Sequence, residues 1–83
     1  MYLGVQKVEP LEDYELLLVF ENGEERVFDL KPYLKIGKFS ELKDEAMFRS
    51  VRVSFDAIEW SNGVDLDPEF LYEHSVERES ALT

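Results

Sequence analysis

Eighty-three residues, 45% of them hydrophobic and 13% aromatic, are enough for one small domain and exclude a disordered chain. Nine Lys and Arg against nineteen Asp and Glu, a formal net charge of -10, argue against non-specific binding to nucleic acid or anionic membrane. The absence of cysteine removes disulfide frameworks, thiolate metal sites and thiol catalysis.

A chain of this length buries roughly 60–65% of the surface its unfolded form exposes, so its aromatic residues must carry much of the burial energy. No secretory pattern is present and no apolar run approaches ~18 residues. The expected setting is therefore the cytoplasm, with no membrane partner.

Leu3 to Val8 reads as a first strand that ends near Pro10. Tyr14 to Phe20 is a stronger second strand, with Tyr14, Leu16, Leu18 and Phe20 on one face and Glu15, Leu17, Val19 and Glu21 on the other. Glu21-Asn22-Gly23 turns the chain into a third strand, Glu24 to Leu30. A three-residue loop with Gly23 left-handed pairs Phe20 with Glu24, Leu18 with Arg26 and Leu16 with Phe28. A two-residue loop would instead mix Asp29 into the apolar face. Because a one-residue slip inverts every side chain, the longer loop with a glycine bulge is predicted. Leu17 and Val19 leave the opposite face partly apolar, so the strand is either covered on both sides or meets a partner there.

Lys31 to Asp44 is a connecting region punctuated by Pro32 and Gly37 and anchored by Tyr33, Leu34, Ile36, Phe39 and Leu42. Asp44 caps a short helix reaching Ser50, with Met47 and Phe48 inward. Val51 to Phe55 is a fourth strand, Asp56-Ala57 a turn, and Ile58 to Trp60 a fifth strand ending at Asn62-Gly63. A last helix runs from Pro68 to about Ser75, with Asp67 as its cap and Leu66 and Leu71 spaced as a hydrophobic staple. The sum is an α+β fold: a small, mostly antiparallel sheet of about five strands with two or three short helices. Residues 1–75 form the single domain, and 76–83, with little apolar content, are expected to be a mobile tail.

Few residues invite chemistry. Asp65, Asp67 and Glu69 alternate as metal carboxylates can, but Phe70 stands where a calcium loop needs glycine. Capping explains Asp67, and the helix dipole favours Glu69. His74, the only histidine, lies in the last helical turn, where its charge suits the dipole, with no recognised catalytic spacing to Glu73 or Glu77. No serine sits in a nucleophile elbow, and four glycines form no phosphate loop. No catalytic residue, cofactor site or metal site is therefore expected, and the chain reads as a non-enzyme.

Recognition is the better reading. Lys31, Lys35, Lys38 and Lys43 make one basic island in an acidic chain. They are either solvated stems around buried aromatics or a patch for an acidic segment or phosphate. Trp60 is expected to be partly buried and able to serve as an interface anchor. The partner-contacting set is Leu17, Val19, Lys31, Lys35, Lys38 and Trp60. Exposed strand edges leave a homodimer open.

The ordered set Phe20-Glu21-Asn22-Gly23, Phe28-Asp29-Leu30, Phe39-Ser40-Glu41-Leu42, Phe48, Ile58 to Leu66 and Leu71-Tyr72 resembles the small bacterial family of domain of unknown function 2442. The likeness runs from about Val5 to Tyr72. It implies an α+β fold of the type seen in the amino-terminal domain of a nitrifying-bacterium protein. It also implies a neighbouring gene for a small partner protein, as in a toxin–antitoxin-like pair, and it brings no catalytic residues. Some members carry an appended helix-turn-helix, for which this chain has no room. Where members commonly place Pro after the Trp, this chain has Ser61, which bears only on turn rigidity. The resulting expectation is a protein-binding module, the antitoxin-like half of a two-gene pair. The alternative is an accessory regulatory domain touching nucleic acid through Lys31–Lys43.

Overall fold

The alternation read in the second strand organises the molecule. The computed structural model describes residues 3–78. Among them β2 (Glu15–Phe20) lies between β1 (Val5–Pro10) and β3 (Glu25–Asp29). Leu16, Leu18 and Phe20 are fully buried while Leu17 and Val19 are half-buried, as a period of two requires. The β2–β3 hairpin adopts the expected register, with Leu16 opposite Phe28 and Leu18 opposite Arg26. The Phe20 N–H donates to the Glu24 carbonyl at 2.9 Å. Gly23 sits at φ +85°, where a side chain would be strained. Phe28 and Leu30 are fully buried with the β2 residues.

Among the described residues two sheets replace the single five-stranded sheet expected. The first has the order β1-β2-β3-β7, where β7 is Val76–Glu77. The second has the order β4-β5-β6, made of Arg52–Ser54, Ala57–Glu59 and Asp65–Leu66. All pairings are antiparallel. The sheets meet where the Val5 N–H donates to the Asp56 carbonyl at 2.9 Å. Gly4 permits that approach, since a Cβ there would fall 2.8 Å from the Asp56 side chain. The β4–β5 turn is Phe55-Asp56, one residue earlier than expected, because Ser54 pairs with Ala57.

Val76 and Glu77, expected in the tail, pair instead with Val27 and Arg26. The reason is local: Arg26 reaches Ser75 Oγ at 2.8 Å and its carbonyl at 2.7 Å, which holds the end of the last helix against β3. Residues 79–83 lie outside the described residues.

The helices follow their caps. Helix α1 (Glu45–Phe48) begins at Asp44, whose carboxylate accepts from Met47 N–H at 3.0 Å. Helix α2 (Pro68–His74) begins at Asp67, which accepts from Phe70 N–H at 2.7 Å. Three 3-10 turns, Glu12–Tyr14, Lys31–Tyr33 and Gly37–Lys43, fill the connections. One core joins both sheets and both helices through Phe28, Phe48, Ile58, Trp60 and Leu71. Among the described residues no helix is long and apolar enough to cross a membrane.

A candidate docking face on the outer side of the sheet

Leu17 and Val19 point away from the core, and the register decides what lies beside them. Leu17 is flanked by Glu9 and Val27, and Val27 by Val76. Directly opposed residues share a sheet face, so Leu17, Val27 and Val76 form an apolar row. Val19 is flanked by Lys7 and Glu25 in the next row. Val76 is 67% exposed, which leaves the row open at the sheet edge.

The approach to β4 turns this face into a groove of about 620 Å³. Val8, Leu17, Val19, Val51 and Val53 supply its apolar lining, and Lys7, Glu9, Glu25 and Arg52 its charges. Glu25 is paired with Arg78 at 2.9 Å, and Arg52 approaches Glu59 at 3.4 Å. The groove can take apolar side chains of another polypeptide. Its lining has no histidine, and the chain has no thiol to add a nucleophile.

Two lysines of the basic island are held by other parts of the chain. Lys31 lies among three carboxylates: Asp13 at 3.1 Å, Asp29 at 3.1 Å and Glu15 at 3.8 Å. Hydrogen bonds to Asp13 and then Asp29 hold its ammonium pKa above the usual lysine value. Lys38 donates to the Asn62 carbonyl at 2.7 Å, bracing the Asn62-Gly63 turn. Lys35 and Lys43 are exposed on the same connection. Of the expected partner-contacting residues, Leu17 and Val19 share the outer sheet face, and Lys31 reaches Glu15 and Asp29 at its end.

Trp60, expected to be partly buried, is 1% exposed and belongs to the core. Its indole is used internally, and Val64 closes the turn by accepting from Trp60 N–H at 2.9 Å. Asp65 stands opposite Glu59 between β5 and β6, and Asp67 is occupied as a cap. His74 stacks on Phe70 at 4.2 Å, its Nδ1 3.0 Å from the Phe70 carbonyl. Among the described residues no group of three His, Asp or Glu side chains is arranged to hold a metal ion.

On the opposite, core-facing side of the sheet, next to the β2–β3 turn, lies a polar cluster that the sequence did not reveal. The Tyr72 hydroxyl donates to Glu24 at 2.9 Å, and Arg26 donates to the same carboxylate at 2.8 Å while its guanidinium lies 4.3 Å above the Tyr72 ring. Donation from Tyr72, then Arg26 and Asn22, lowers the Glu24 pKa; the bond to Glu24 raises that of Tyr72. Val27 was accessible from the hairpin register, which places it opposite Leu17. Val51, Val53 and Val76 carried no such signal, because their neighbours on this face are distant in sequence.

The ordered hairpin, the Asn62-Gly63 turn and the capped last helix match one family model, that of a protein of unknown function (DUF2442), over residues 5–77. The chain belongs to this family. Neither a curated protein nor a solved structure shows significant similarity to it. The DUF2442 match reaches Glu77, so β7 falls within the family domain.

Proposed function

We propose that this DUF2442 chain is a non-enzymatic recognition module that engages a small partner protein, as the antitoxin-like half of a two-gene pair. The observation that carries this reading is the outer sheet face: Leu17, Val19, Val27 and Val76 form an apolar surface beside the β4 groove. Central strands rarely leave such a face open without a use. Glu9 lies beside it in β1, while Glu25 is engaged by Arg78 and Glu15 and Asp29 by Lys31. The net charge of -10 favours a basic partner, whose encounter it would accelerate.

Co-expression with the neighbouring gene's product, followed by size exclusion, tests the reading. A shared peak is expected for the native sequence, and two separate peaks for Leu17→Lys with Val19→Lys. Independent elution of the native proteins at micromolar concentration would count against it. The alternative of nucleic-acid contact through Lys31–Lys43 is weakened by the engagement of Lys31 with three carboxylates and of Lys38 with Asn62.

A further inference from the structure

Phe55 is the residue whose position the fold does not explain. It is 98% exposed, at the tip of the β4–β5 hairpin, and its backbone is left-handed at φ +58°. An aromatic residue at positive φ is a steric outlier, and glycine or asparagine would normally occupy such a turn. Exposure adds a second unfavourable term, since the ring is left in water. Neither is offset by any burial within the chain.

The same strand that leads to this knob walls a hole. Val53, two residues before Phe55, lines the groove over Leu17 and Val19, and the groove's 620 Å³ exceeds the volume of a phenyl ring several-fold. Its lining carries both signs in a chain that is otherwise strongly acidic: Lys7 and Glu9, beside Arg52 and Glu25, which approach Glu59 and Arg78 of the same chain. A second copy of this chain calls for both signs, so that Lys7 of each can face Glu9 of the other after a two-fold rotation.

We infer that two copies of the chain pair reciprocally, with Phe55 of each seated in the other's groove against Leu17, Val19 and Val53. The pairing requires a two-fold axis close to β4, about which knob and hole meet twice. The inference is independent of the foreign partner proposed above, although both would use Leu17 and Val19, so pairing and partner docking are alternative states of one face. Two molecules of charge -10 repel, so the pairing strengthens as salt screens them.

Sedimentation equilibrium on the full chain alone, up to about 500 µM, decides the matter apart from any partner. The expected mass rises from 9.8 kDa toward twice that value, more readily at high salt. Phe55→Gly is expected to lower the association constant about a hundredfold, about tenfold for each knob lost. The same change should raise the urea midpoint, because glycine relieves the positive φ; loss of folding would lower it. Leu17→Lys blocks the hole but keeps the knob, so an equal mixture of the two variants should associate more strongly than either alone. A native chain that stays at 9.8 kDa throughout, a Phe55→Gly variant that associates like the native chain, or a mixture without gain would each overturn the inference.

Discussion

The Trp60 indole N–H donates to the Phe48 carbonyl at 3.0 Å inside the core, tying the end of β5 to the end of α1. Trp60→Phe removes that donor from a buried acceptor, and the expected loss is about 1–3 kcal/mol. Trp60→Ala adds a cavity and should cost about 3–5 kcal/mol. A domain of this size has roughly 4–12 kcal/mol in total, so the alanine variant should be close to unfolding. Urea titration followed by far-UV circular dichroism would show both midpoints; unchanged midpoints would contradict full burial.

Glu24 makes stability sensitive to acid. Its folded-state pKa lies below the ordinary value of 4.5, first through the Tyr72 hydroxyl and then through Arg26. The unfolded chain therefore binds its proton more readily, so the contribution is complete above about pH 4.5 and disappears as pH falls through the lower folded value. The gap between native and Glu24→Gln urea midpoints should be widest near neutrality and close on acidification. A gap independent of pH would assign the effect to packing alone.

Lys31 works in the opposite direction. Its raised pKa means that its contribution is present up to the ordinary value of 10.5 and is lost as pH rises through the folded value. At neutral pH Lys31→Met leaves Asp13, Glu15 and Asp29 repelling one another around the vacated position. The group is exposed to solvent, so salt should matter. The deficit of the variant should shrink between about 0.1 M and 1 M salt, as the Debye length falls from about 10 Å to about 3 Å. A deficit unaffected by salt would mean that the lysine acts through its aliphatic stem.

Asp67 separates capping from metal binding. Its carboxylate accepts from Phe70 N–H, and Asp67→Ala should lose about 1 kcal/mol, with Asn largely restoring it. The loss should be the same in chelator and in excess Mg²⁺ or Ca²⁺, measured by thermal melting. Stabilisation of the native chain by either ion, absent in the alanine variant, would revive the metal reading of Asp65, Asp67 and Glu69.

Particular residues show why some of this was legible and some was not. Only a three-residue loop puts Leu16, Leu18, Phe20, Phe28 and Leu30 on one face, so the hairpin register followed from counting. Asp44 and Asp67-Pro68 announced their helices through caps a few residues away. The start of β2 was misplaced because Asp13 and Tyr14 are left-handed, at φ 61° and 59°, with neither glycine nor asparagine to signal it. Lys31 holds the Asp13 carbonyl at 2.9 Å, Leu30 N–H donates to the Tyr14 carbonyl at 3.0 Å, and the Tyr14 ring packs edge-on against Phe48. These partners come from residues 16 or more positions away, and together they impose a backbone that local preference would refuse.

The candidate docking face divides in the same way. Its central residues, Leu17 and Val19, were visible as the wrong-face apolar positions of an alternating strand. Its walls were not, because Val51 and Val53 arrive from a second sheet and Val76 from a strand created by Arg26 holding Ser75.

Read alone, the order of amino acids determined the α+β class, the central hairpin with its register, both helix starts and the family. Those features depend on side-chain period and turn chemistry among near neighbours, where few arrangements compete. Folding in three dimensions decided that there are two sheets, that Trp60 is sealed and that Lys31 sits among carboxylates. It also decided that Phe55 stands in water at a hairpin tip. Each of these outcomes pairs residues far apart along the chain, and which distant groups meet depends on how the whole core closes.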